Sequence, residues 1–161
     1  MTHHLTISGP MKASPEALYA AWTTQFDRWF AVPGSILMQG LADTPFYFET
    51  DFEGTRHPHY GRFLHLEPNR LIALTWLTSA TLGAETIVTV QLTPHAEGSH
   101  LKLTHANFSD EETRDRHQQA WPLILEHLDE RMSEPAPPNE EVTPRSRSKG
   151  EQTRISPVAG G

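Results

Sequence analysis

Residues 109–132 read SDEETRDRHQQAWPLILEHLDERM, and this stretch decides the fold. Ser109 followed by Asp110, Glu111 and Glu112 marks a helix start, because the serine can cap unpaired amides and the carboxylates favour the positive end of the helix dipole. Trp121, Ile124, Leu125, Leu128 and Met132 then share one helical face. Pro122 removes one backbone bond to residue 118 and crowds that turn, so the spacing predicts one helix, kinked near Ala120–Pro122. A long helix with one apolar face needs an apolar surface to lie on.

That surface is upstream. His4-Leu5-Thr6-Ile7-Ser8 alternates and reads as a half-buried strand. Ser14-Pro15-Glu16-Ala17 starts a short helix carrying Leu18, Ala21 and Trp22, and a second, about residues 25–30, presents Phe26, Trp29 and Phe30 before Pro33-Gly34 ends it. From residue 35 the period becomes two. Residues 35–39 suggest a short strand, and Phe46, Phe48 and Phe52 alternate with Tyr47, Glu49 and Asp51. Further strands are expected at about 59–66, 70–78, 85–93 and 99–108, separated by the turn signals Glu53-Gly54, Glu67-Pro68-Asn69, Leu82-Gly83 and Ala96-Glu97-Gly98. Short turns between successive strands imply an antiparallel meander. A curved antiparallel sheet of six to seven strands, covered by the last helix, gives an α+β domain with room for an apolar cavity between the layers.

Composition limits what such a domain does. The 161 residues suit one domain, and 37% of them are apolar. The stretch 133–161 has no aromatic residue, five prolines, and four acidic residues balancing four basic ones, so it is expected to be a disordered tail. The formal charge of −7 therefore belongs to residues 1–132, which argues against nucleic-acid binding and against attachment to anionic membranes. The absence of cysteine excludes disulfides and thiolate chemistry. No apolar run approaches the roughly 18 residues of a membrane span and no signal-like start is present, so a cytoplasmic location is expected.

Several segments carry a resemblance. Ser14-Pro15-Glu16-Ala17-Leu18-Tyr19-Ala20-Ala21-Trp22, Glu67-Pro68-Asn69-Arg70-Leu71 through Thr75-Trp76, Thr86-Ile87-Val88-Thr89-Val90-Gln91-Leu92, Leu103-Thr104-His105-Ala106-Asn107-Phe108 and His117-Gln118-Gln119-Ala120-Trp121 occur in order. Together they resemble the SRPBCC (START-like, birch-pollen-allergen-like) superfamily, in the branch named after the activator of the heat-shock-protein-90 ATPase, over about residues 3–132. The resemblance implies a helix-grip fold with a hydrophobic cavity and leaves the activity open, since members include lipid carriers, cyclases and chaperone regulators. Two departures fall at the expected cavity mouth: Ala120-Trp121-Pro122 in place of a Gly-Trp pair, and Asp43-Thr44-Pro45 in place of Gly-Gly.

The candidate cavity lining comprises Trp22, Phe26, Trp29, Phe46, Phe48, Tyr60, Leu64, Trp76, Val88, Val90, Leu103, His105, His117, Trp121 and Leu125. Ordinary core packing is the alternative for each. The expected function is binding of a small hydrophobic or amphipathic molecule without a cofactor. An enzyme reading would use His105 and His117 to shuttle a proton, against the alternative that these are hydrogen-bonded structural histidines. Glu49 and Asp51 lie opposite the Phe face and are expected to point to solvent. His57-Pro58-His59, with His65 beyond it, offers only a weak metal chelate, so no metal site is expected. A third reading is a protein-binding module, such as a chaperone cofactor.

Overall fold

Strand β1, His3–Met11, lies far from its partner in sequence: it pairs antiparallel with β6, Gly98–Phe108, through Leu5 opposite His105 and Ile7 opposite Leu103. The structure, a computed structural model, describes residues 3–133, so the expected tail falls outside the described residues apart from Ser133. Between these strands run α1 (Pro15–Thr23), β2 (Pro45–Phe52), β3 (Thr55–Glu67), β4 (Leu71–Trp76) and β5 (Thr86–His95). Helix α2, Glu111–Ser133, follows β6. The spatial order β1-β6-β5-β4-β3-β2 makes one six-stranded antiparallel sheet, a meander whose first strand closes onto its last. Strand β4, expected to be central because both its faces are apolar, lies between β3 and β5.

Local chemistry sets the boundaries. The Ser14 hydroxyl caps α1 by accepting from the Ala17 amide at 3.1 Å, and Pro15 occupies the first turn. The second helix is shorter than expected, a single 3₁₀ turn at Phe26–Arg28. The expected strand at 35–39 reduces to one bridge, Leu37 to Tyr47, because the chain there meets β2 at only one residue pair. Two-residue turns close the hairpins β2–β3 and β5–β6, with Glu53, Gly54 and Ala96 at positive φ. Pro122 sits inside α2 without dividing it.

The core lies between the sheet and α1 and α2. Ile72, Leu74, Val88, Val90, Leu101 and Leu103 cover the inner sheet face, and Trp121, Leu125, Leu128 and Met132 of α2 meet it. Gly61 permits a close approach that any side chain would block: a Cβ there would lie 2.2 Å from the Thr75 carbonyl oxygen and 2.3 Å from the Phe46 ring.

Strand β3 corrects one expectation. Tyr60 and Leu64 are expected to line the cavity, yet they are 49% and 39% exposed, while His59 and Phe63 are buried. A bulge between Phe63 and His65 explains the parity. Phe63 opposes Leu74 and Leu66 opposes Ile72, so odd-numbered residues face inward before the bulge and Leu66 after it. A one-residue shift of this kind reverses which residues face inward, and Tyr60 and Leu64 lie on the outer side. Tyr60 instead packs on Tyr47 across the outer face, ring centroids 5.3 Å apart.

Candidate functional site

The expected lining residues separate into three groups. Trp22, Phe26, Trp29, Phe46 and Phe48 pack on one another, with Phe26 and Phe48 stacked at 4.7 Å and Trp22 and Phe26 edge-on at 5.6 Å. They fill the space between α1 and the sheet. Val88, Val90 and Leu103 are fully buried under the helices. Leu125 is buried at the foot of a second, more open cleft of about 480 Å³ between β1 and α2, where Asp129 accepts from the Lys12 and Ala13 amides, both at 2.9 Å. Apart from Leu125, which also lines that cleft, these residues are core rather than cavity wall, and Tyr60 and Leu64 are exposed.

Trp76, His117 and Trp121 do line a cavity, together with Phe30, His59, Thr78, Ala80, Ala120 and Ile124. Its volume is about 160 Å³. A space of this size, about 150 Å³, accommodates one benzene-like ring, whereas sites for larger ligands run to about 300–1,000 Å³. Three elements and a loop build it: β3 supplies His59, β4 supplies Trp76, α2 supplies His117 and Trp121, and Phe30 follows the 3₁₀ turn at Phe26–Arg28. A second space, of about 290 Å³, shares His59, Thr78 and Ala80 with it and lies toward the exposed Phe52.

The walls are aromatic. Phe30 stacks near Trp76 at 6.1 Å, His59 meets Trp76 edge-on at 5.2 Å, and Trp76 and Trp121 are tilted at 5.8 Å. The polar groups include two imidazoles. His117 Nδ1 lies 2.9 Å from the Thr113 carbonyl oxygen, one turn back on α2, and His59 Nδ1 lies 3.1 Å from the His57 carbonyl oxygen. A carbonyl only accepts, so both Nδ1 atoms carry the proton and both Nε2 atoms carry a lone pair. Burial pushes His59 down to about 4 and also holds His117 below its ordinary value. Both rings are neutral near pH 7.

His105 is arranged differently. Trp121 Nε1–H donates to its Nδ1 at 3.0 Å, so the proton is on Nε2, which meets the Thr86 hydroxyl at 2.8 Å. Thr86 in turn donates to the Trp76 carbonyl at 2.5 Å. The chain Trp121–His105–Thr86–Trp76 engages both ring nitrogens, and burial pushes His105 down to about 3. His105 and His117 are edge-on at 5.1 Å, so the expected pair is adjacent, but only His117 reaches the cavity.

His59 is the residue that sequence reasoning missed as a cavity group. Its available signal was the odd-numbered series His59, Gly61, Phe63, in which glycine broke the apolar alternation. Glu49 is only partly exposed, tied to Tyr47 at 2.6 Å and Arg56 at 2.8 Å on the outer side, and Asp51 is exposed. Among the described residues no group of three or more metal-ligating side chains is assembled, and no helix is long and apolar enough to cross a membrane.

A curved sheet closed on a long C-terminal helix, with a cavity between them, defines a helix-grip protein. A family model described as activator of Hsp90 ATPase homolog 1-like protein matches residues 12–133, and the chain belongs to that family. Solved structures agree on the SRPBCC-like fold. A Chromobacterium violaceum protein is 20% identical, with a TM-score of 0.70 over 82% of this chain and 99% of its own. A Rhodobacter sphaeroides protein is 23% identical, with a TM-score of 0.65 over 81% of this chain and 89% of its own. A Staphylococcus aureus protein of unknown function is 14% identical, with a TM-score of 0.65 over 82% of this chain and 91% of its own. No curated protein matches the sequence.

Proposed function

We propose that this chain binds one small hydrophobic or amphipathic molecule in the cavity between β3, β4 and α2. One observation carries the reading: a partly open space of about 160 Å³ walled by Phe30, Trp76, Trp121 and Ile124, with imidazoles among its polar groups. Apolar walls with a few oriented polar groups are the composition of ligand sites. The volume favours single-ring molecules over fatty acids and sterols. Titrating the full-length chain with both classes, followed by two-dimensional amide NMR, tests it. Single-ring aromatics are expected to shift the amides of Phe30, Trp76, Ala120 and Ile124, and long-chain acids are not. If no compound shifts them, the cavity is packing space and the reading fails.

Both ring nitrogens of His105 are engaged inside the protein, which weighs against the reading of His105 and His117 as a proton-shuttling pair. A protein-partner role, which the family description brings to mind, would act through the surface. Loss of partner capture on deleting residues 134–161, with the cavity amides unresponsive to every compound, would favour it.

A further inference from the structure

The cavity carries more information than its volume. Its two histidines are fixed in one tautomer by carbonyls that lie outside it, Thr113 on α2 and His57 on β3. Neither Nε2 has a protein hydrogen-bond partner among the described residues. Each ring is also locked in orientation. His117 is edge-on to His105 at 5.1 Å and tilted on Phe108 at 4.8 Å, and His59 is stacked on Phe48 at 4.7 Å and edge-on to Phe30 at 5.4 Å. The acceptors are therefore preset, and rotating a ring to present its N–H would break a bond to the backbone. Trp76, which shares the wall, also makes no side-chain hydrogen bond among the described residues, so its indole N–H remains a donor.

From this arrangement we infer that the cavity selects a neutral, ring-sized molecule bearing a hydroxyl, a phenol in the first instance, whose O–H donates to Nε2 of His59 or His117. The inference rests on the cavity reading proposed above and names its ligand class. A purely apolar ring of equal size leaves the acceptors unpaired in a space it has just dried, which costs affinity. A carboxylate has no proton to offer and would place its charge beside two lone pairs. Burial acts in the same direction, since it disfavours the imidazolium forms that would attract an anion. A hydroxyl can in addition accept from an indole N–H while it donates, which a fluorinated or methylated ring cannot do.

The test uses the full-length chain at pH 7.5 and three probes of one size: 4-fluorophenol, 4-fluorotoluene and 4-fluorobenzoate, followed by fluorine NMR. The phenol is expected to bind about three- to tenfold more tightly than the toluene, the range that one net neutral hydrogen bond supplies. The benzoate is expected to bind at least tenfold more weakly than the phenol. A pocket without acceptors gives the reverse order for the first two, because the hydroxyl loses its water and recovers nothing. The double variant His59→Phe/His117→Phe keeps a ring at each position while removing both acceptors, and it should reverse the order. Toluene binding as tightly as phenol in the natural chain overturns the selection and leaves the cavity reading intact. So does benzoate matching the phenol. Binding by none of the three overturns both. A preference for phenol that survives in the double variant overturns the assignment to these imidazoles.

Discussion

Two regions meeting at Trp121 use histidine in opposite ways. On one side of the indole, His105 has both ring nitrogens bonded within the protein, to Trp121 and Thr86. On the other side, His59 and His117 each bond one nitrogen to a backbone carbonyl and leave the second without a protein partner at a cavity wall. His105 and His59 are buried and His117 is partly buried, and all three are pushed below the ordinary histidine range by burial. Burial and a lowered pKa therefore do not separate a structural histidine from a ligand-facing one. The number of ring nitrogens left without a protein partner does.

The largest expected effect comes from Trp121 itself. Trp121→Ala removes a buried indole and leaves His105 Nδ1 unpaired, so a loss of about 3–5 kcal/mol is expected in urea denaturation. Trp121→Phe keeps most of the bulk and should cost about 1–3 kcal/mol, the price of the stranded acceptor and a smaller void. A loss below about 1 kcal/mol for the alanine variant would break the comparison, since Trp121 would not be joining the two regions.

The next effect is the response to acid. His105 and His59 stay neutral in the fold down to about 3 and about 4, whereas in the unfolded chain histidine takes a proton near pH 6.5. Below about pH 6.5 the unfolded state thus binds more protons than the folded one. These groups leave stability untouched above that pH and lower it progressively as the pH falls toward 3–4. Urea midpoints measured from pH 7 to pH 4 should therefore decline, and His105→Leu, itself about 1–3 kcal/mol less stable because it strands the Trp121 N–H, should flatten part of that decline. An unchanged slope in the variant would mean that His105 is protonated in the fold and the hydrogen-bond chain is drawn wrongly.

The smallest expected effect on stability belongs to His117→Ala, within about 1 kcal/mol, because the ring is only partly buried and donates one bond to its own helix. The same change should weaken binding of any cavity ligand several-fold, seen by amide NMR. A variant stabilised or destabilised by more than about 2 kcal/mol would move His117 to the structural side of the comparison.

Strand β3 shows where sequence reading stopped. A period of two assigns faces correctly only while pairing is unbroken, and the bulge between Phe63 and His65 shifts the register by one residue. Leu66 faces inward after the bulge, whereas the even-numbered residues before it, Tyr60 and Leu64, face outward. The sequence offers His59 only as half of a weak chelate. On β5 and β6, which pair without a shift, Val88, Val90, Leu103 and His105 were assigned to the correct face.

What the sequence determined by itself was the set of elements, their order and the apolar face of most of them: the capped α1, the hairpin turns, the two-faced β4 and the amphipathic α2. These follow from chemistry between residues close along the chain, where period, caps and turn residues act. Only the tertiary structure decided that Trp22, Phe26, Trp29, Phe46 and Phe48 fill the space under α1, that about 160 Å³ stays open beside Trp76, and that His59 joins His117 at its wall. Those outcomes depend on ångström-scale separations among side chains from β3, β4, α2 and the segment after α1, and no pattern along a single segment encodes them.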